Sequence, residues 1–155
     1  MSDLGYRKLL RGLRNDKREI IVVTGAPGSG KSTYVRENAG RDDLVVDLDS
    51  ISTAIQGGNS ENQDHASVLD VSLKIRELLY QEIISQEGKW KRAFVISASP
   101  DPMKVRDLIR KLDGKEHRME TTREQCIRQI KNDESRRGRE ELYIQLANQW
   151  YDAMT

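Results

Sequence analysis

The chain has 155 residues, 33% of them charged and 36% hydrophobic, with 26 Lys and Arg against 25 Asp and Glu for a net charge of +1. That length suits one compact domain, residues 1–155, able to bury its own core without staples, and Cys126 with two histidines supplies neither an internal disulfide nor a Cys/His metal cluster. The longest aliphatic run, Ile20-Ile21-Val22-Val23, falls far short of the ~20 residues that cross a bilayer, and no apolar leader opens the chain, so a cytoplasmic protein without a membrane partner is expected.

The predicted elements alternate. Leu4, Leu9, Leu10 and Leu13 among basic residues predict a short amphipathic helix over 3–14, interrupted at Asn15-Asp16. Ile20–Thr24 is a continuous β-branched run, the pattern of a strand buried on both faces of a parallel sheet. A glycine-rich turn leads to a helix over 31–38 with Gly40 as its stop, then to a second strand over 44–48. Residues 57–66 are polar and turn-rich, a mobile surface loop of the kind that carries substrate contacts. Val68, Val71, Ile75, Leu78, Leu79 and Ile83 predict the core face of a long helix ending near Gln86 and Gly88. A third strand over 93–97 is followed by a helix opened by Pro100 and Pro102 and capped by Asp101, with Val105, Leu108, Ile109 and Leu112 on its core face, which Gly114 ends. A short fourth strand is expected around 117–120. Thr121 or Thr122 then caps a helix carrying Cys126, Ile127 and Ile130, which Arg136-Arg137-Gly138 breaks. In the last helix Leu142, Leu146 and Trp150, with Tyr143, Ala147 and Tyr151 beside them, read as core packing. Strands alternating with helices indicate an α/β domain with a mostly parallel sheet.

Gly25-Ala26-Pro27-Gly28-Ser29-Gly30-Lys31-Ser32 satisfies G-x-x-x-x-G-K-[ST] between a predicted buried strand and a helix, the one context in which that pattern has meaning. The glycines let successive backbone N–H groups face inward, and the following helix adds its positive end, so the natural occupant is a polyphosphate. Lys31 is expected to reach the β and γ phosphates and Ser32 to ligate Mg²⁺ through its hydroxyl, with Thr33 packing or capping behind them. The glycine spacing does not fit a dinucleotide fingerprint.

Asp47 and Asp49, two apart at the end of the second predicted strand, are expected to point together toward the crevice above the sheet's carboxyl edge. Asp49 is the candidate to accept a hydroxyl proton, and Asp47 suits the magnesium shell; both would also serve as caps of the next helix. Arg128, Lys131, Arg136, Arg137 and Arg139 cluster around the late helix break, a candidate lid over 123–139 whose guanidinium groups suit a transferring phosphoryl, with Asp133 and Glu134 holding them. Arg128 and Arg137 are the preferred catalytic individuals and Arg136 a phosphate contact. The same residues suit a solvated, salt-bridged helix face. Ser97 and Ser99 stand where many nucleotide-hydrolysing enzymes carry an acid, and His65 and His117 read as ordinary surface histidines.

With these residues in view, the chain over about 20–154 resembles the P-loop kinase group that includes the kinase domain of bacteriophage polynucleotide kinase, whose phage relatives are often labelled AAA-type ATPases. Gly25–Thr33 matches that group's GxPGSGKST loop, Asp49 falls at its catalytic aspartate, and Arg137-Gly138 is similar to its lid pair. The resemblance implies a P-loop NTPase three-layer sandwich with a mostly parallel sheet and a C-terminal helical lid. It also implies ATP and Mg²⁺ as cofactors, Asp49 activating a 5′-hydroxyl, and Arg128, Arg136 or Arg137 on the phosphates. The chain departs from the polynucleotide kinases at Ser52, where they carry an arginine, and at Ala98 or Ser99, where they carry an acid. The Asp-x-Asp arrangement is also similar to shikimate kinase and other small-metabolite kinases.

The reading is thus an ATP-dependent phosphotransferase acting on a small-molecule or nucleic-acid 5′-hydroxyl acceptor. An ATP-binding switch or assembly ATPase working through a protein partner is the alternative. A third reading is a nucleic-acid binder using the basic segments 1–19 and 123–139, each with six Lys and Arg against three Asp and Glu.

Overall fold

The computed structural model describes residues 2–13 and 17–155, and of 11–13 the backbone alone. The expected break at Asn15-Asp16 and the side chain of Leu13 lie outside the described residues.

Ile20–Thr24 forms strand β1, and all five of its residues are buried, as a β-branched run between two covered faces must be. It pairs in parallel with β3 (Ala93–Ser97) on one side, Val22 opposite Val95, and with β4 (Lys115–Arg118) on the other, Val22 opposite Glu116. Strand β2 (Leu44–Val46) pairs in parallel with β3, which gives a four-stranded, all-parallel sheet in the order β2-β3-β1-β4. The expected α/β architecture with a parallel sheet is therefore present.

Helices α1 (Asp3–Leu13), α2 (Lys31–Asn38), α3 (Leu48–Ile55), α4 (Leu69–Ser85), α5 (Pro102–Leu112), α6 (Arg123–Asn132) and α7 (Glu140–Met154) fill the connections. Alternate residues of β1 point to opposite faces. Ile20 and Val22 join Tyr80, Ile83 and Ile84 of α4 and Leu112 of α5, with Leu4 of α1 packed against them. Ile21 and Val23 join Phe94 and Val35 of α2 on the other face. A third apolar cluster lies beyond the end of β1, where Ala26 meets Cys126 and Ile130 of α6 and Ala147 and Trp150 of α7. Two expected caps are present: Asp101 accepts from Met103 N at 3.0 Å, and Thr122 with Gln125 forms a reciprocal capping box at α6.

Four expectations are corrected. Strand β2 stops at Val46 rather than running to Leu48, because the chain turns into α3 with Asp47 at its N-cap position. Strand β4 is Lys115–Arg118, two residues earlier than expected at its start; it is a charged edge strand with no apolar signature, pinned where Thr24 Oγ1 donates to Glu116 at 2.7 Å. On α4, Val71 and Leu78 face solvent at 51% and 63% exposure, since the helix packs through Ser72, Tyr80, Ile83 and Ile84. On α7, Leu142 is 51% exposed and Leu146 38%, and the buried stripe is Ala147 and Trp150 flanked by Tyr143 and Tyr151.

Within the basic N-terminal segment, Arg7 pairs with Asp3 and Glu87, and Arg18 donates to the Gly88 carbonyl at 2.8 Å and lies over the Trp90 ring. These charges are used inside the molecule. Among the described residues, no helix is long and apolar enough to cross a membrane.

Candidate active-site cleft

The glycine-rich loop leaves the carboxyl end of β1 and enters α2, as its sequence requires. Gly28 has φ 80° and Gly30, the N-cap of α2, has φ 91°, left-handed values that favour glycine. Gly28 is needed for space as well: a Cβ there would stand 2.7 Å from the Cys126 carbonyl oxygen of α6. The loop is tied to the C-terminal helices by Thr121, whose hydroxyl donates to Ser29 O at 2.7 Å, while the Tyr151 hydroxyl donates to Thr121 O. Those bonds and the close Gly28–α6 contact fix the loop from outside.

Lys31 lies inside this loop at 8% exposure, its ammonium donating to the carbonyls of Gly25 at 2.7 Å and Ala26 at 2.8 Å. Burial, and then the neighbouring Arg136 guanidinium, push the ammonium down from 10.5 to about 8. Two of its three N–H donors are thereby used, and the third is available to an anion. Ala26 and Ser29 are buried, and the Ser29 hydroxyl has no partner among the described residues. Gly25 and Ala26 thus contribute carbonyls that hold Lys31.

A cleft of about 760 Å³ opens over this loop. Pro27, Gly28, Gly30, Lys31, Ser32 and Thr33 form its floor, and the start of α3 and the end of β3 form its walls. Asp47 and Asp49 both line it, though not by strand alternation as expected. Asp47 precedes α3, and its carboxylate accepts from the Ser50 hydroxyl at 2.8 Å rather than from a backbone N–H. Asp49 sits in the first turn. Burial first, and the Asp47 carboxylate second, hold its carboxyl above the ordinary carboxylate range, against the pull of His65, Arg136 and Lys31. Ser97, the last residue of β3, and Ala98 and Ser99 just after it line the same cleft and supply no acid.

Of the late arginines, the structure brings Arg136 to the cleft. Its guanidinium lies 4.7 Å from the Tyr143 ring centroid and 3.7 Å from Asp133, which itself accepts from Ser135 N and Oγ, so Asp133 holds the fork as expected. Arg128 is exposed on α6 and does not line the cleft, because the buried side of that helix belongs to Cys126 and Ile130. Arg137 lines a second cavity of about 810 Å³ between the 60–64 loop and the 134–139 segment. Arg139 bridges the two, donating to Gln63 O at 3.1 Å.

Two cleft arginines escaped the sequence reading. Arg36 lies on α2 one turn beyond Ser32, so helical spacing from the motif could have found it. Arg76 comes from α4, and no local signal marks it. The cleft therefore combines backbone donors at a helix N-terminus, an ammonium, three guanidinium groups, several hydroxyls and the carboxylates of Asp47, Asp49 and Asp133. Such a set can hold a polyphosphate and accept a proton beside it. No protein-family model and no curated protein matches this chain in sequence, so what the cleft does is read from its own side chains.

Proposed function

We propose that this chain is an ATP-dependent phosphotransferase with a P-loop NTPase sandwich, in which α6, the 134–136 turn and α7 form the lid over the donor. The observation that carries this reading is the single cleft shared by Lys31 and Ser32 on the glycine loop and by Asp49 on the facing wall. The backbone N–H groups at the start of α2, Lys31, Arg36 and Arg136 would take the ATP phosphates. Mg²⁺ would be held by Ser32 and Asp47 and, when bound, neutralises phosphate charge. No cluster of three His, Cys, Asp or Glu forms a metal cage among the described residues, which suits an ion held largely through substrate phosphates.

Asp49 would take the proton of an acceptor hydroxyl. The hydroxyl oxygen forms a bond to the γ-phosphorus as the bond from that phosphorus to the β,γ-bridging oxygen breaks, and ADP leaves with the electron pair. Arg136, held by Asp133 and Tyr143, would offset the charge that spreads over the transferring group. The experiment is transfer of labelled γ-phosphate from ATP with Mg²⁺ to nucleosides, nucleotides, 5′-hydroxyl oligonucleotides and small hydroxyl compounds. A labelled acceptor is expected, and ATP binding with hydrolysis alone would contradict the proposal.

A further inference from the structure

The segment after α6 ends in a turn that sets two arginines side by side. Arg137 has φ −57° and ψ 129°, Gly138 has φ 83°, and Arg139 N donates to Arg136 O at 2.9 Å. Those are the values of a type II turn, which needs a left-handed residue at its third position and finds it in Gly138. Closing the turn brings Arg136 and Arg139 to its two ends, and both guanidinium groups lie against one ring, Tyr143 of α7, at 4.7 and 5.7 Å from its centroid. The two serve different places. Arg136 lines the main cleft, whereas Arg139 lines the second cavity and donates to Gln63 O at 3.1 Å.

The loop that Arg139 holds is otherwise tied to its own neighbours. Glu61 N donates to Asn59 Oδ1 at 3.0 Å, Asp64 N to Asn62 Oδ1 at 3.1 Å and Gln63 Nε2 to Ser60 O at 2.7 Å. Gln56 at the end of α3 holds the far end of the loop, donating to Asp64 O at 3.1 Å and meeting His65 Nδ1 at 2.7 Å. At the near end Gly57 and Gly58 have φ 93° and 80°, with open space where a side chain would start. Among the described residues, Arg139 makes the only hydrogen bond that reaches residues 57–66 from outside α3, α4 and the chain between them. Its second amino group is buried and has no partner among the described residues, so the grip is half made. A closing movement of the loop across the cavity of about 810 Å³ would supply the missing acceptor.

We propose that Arg139 and Tyr143 are positioning residues that carry donor binding to the 57–66 loop. Phosphates that draw Arg136 fix the turn and the ring, Arg139 goes with them, and the loop closes onto the turn with Gly57-Gly58 as its hinge. No residue of that loop lines the main cleft, so the donor acts on it through the turn rather than by contact. The ligand's preference for the closed arrangement comes from Arg136, which meets the phosphates only with the turn in place. This rests on the phosphate-binding half of the phosphotransferase reading and is independent of whether a phosphoryl is transferred. The consequence is an order: ATP binds first, and the loop settles second.

The test is amide hydrogen exchange of wild type, Arg139→Met, Arg139→Lys and Tyr143→Leu with and without a non-hydrolysable ATP analogue and Mg²⁺, the affinity for the analogue being titrated alongside. In wild type the analogue should slow exchange in the glycine loop and, by about fivefold or more, in residues 57–66, the low end of couplings between two sites. Arg139→Met should keep the protection of the glycine loop, which also shows that the variant is folded, and lose that of 57–66. Arg139→Lys can still donate to Gln63 O and should recover part of it, and Tyr143→Leu, without the shared ring, should lose it. Glycine-loop protection with 57–66 unchanged in wild type, or protection of 57–66 that persists in Arg139→Met or Tyr143→Leu, would overturn the inference and leave the nucleotide site standing. Absence of analogue binding in wild type would overturn it together with the phosphotransferase reading. Protection of 57–66 that depends on Arg139, with no transfer to any acceptor, would keep the coupling and overturn the kinase reading alone.

Discussion

Lys31 and Asp49 are held in opposed electrostatic states by the same cleft. Burial disfavours the charge on each, so the lysine titrates low, at about 8, and the aspartate titrates above its usual range. Transfer should therefore follow a bell-shaped pH profile. It is lost at the acid side as Asp49 takes up a proton at a value above 3.8, and at the basic side as Lys31 loses its proton through about 8. Lys31→Met should remove the basic limb along with most ATP affinity. The sign on stability is the reverse: between about 8 and 10.5 the unfolded chain holds the lysine proton and the folded chain does not, so stability rises with pH across that window. Urea unfolding of wild type against Lys31→Met at pH 7 and pH 10 checks this; an equal rise in both proteins would contradict it. At this scale the contiguous motif was legible because eight neighbouring residues carry it. Arg76 was not, since its place depends on the register of two helices, and the placing of Arg128 outside the cleft was not either, because the buried side of α6 is decided by packing on α7 and the glycine loop rather than by charge.

The glycine loop and α6 form one unit. Gly28 approaches the Cys126 carbonyl so closely that a side chain has nowhere to go, and its left-handed backbone adds about 1–2 kcal/mol for any L residue. Gly28→Ala is expected to lower the melting temperature and to weaken ATP binding in the same variant, because α6 has to move away from the loop. A variant with lowered stability but unchanged ATP affinity would show that the loop does not depend on its α6 contact. The apolar strands β1 and β3 were readable from composition. The short β2 and the charged β4 were legible as strands but not in their bounds: Asp47-Leu48 continues the pattern of a strand but begins a helix, and Lys115–Arg118 carries no apolar signature and pairs with the edge that β1 offers.

Across the whole molecule, the parallel sheet is covered on both faces, and α4 supplies much of one cover. Helical spacing alone does not say which of its apolar residues pack, because two overlapping stripes are apolar. Ile83 is fully buried and Leu78 is 63% exposed, five residues apart on one helix. Ile83→Ala should cost about 2–5 kcal/mol in chemical unfolding, and Leu78→Ala should stay within about 0.5 kcal/mol. Similar losses at both would mean that the outer face of α4 is covered in solution. The strand order β2-β3-β1-β4 sets the carboxyl ends of β1 and β3 side by side, with the β2–α3 turn beyond β3, and so gathers the glycine loop, Asp47, Asp49 and the β3 serines around one opening. Alternation in the sequence implies a parallel sheet but leaves that order open.

The most direct test of the central claim is γ-phosphate transfer by wild type and Asp49→Asn, measured beside the ATP affinity of each. The account predicts that Asp49→Asn binds ATP within a few-fold of wild type and loses transfer by about a hundredfold or more, since general-base removal costs on that order. Undiminished transfer in Asp49→Asn, or no transfer by wild type to any hydroxyl acceptor, would contradict it.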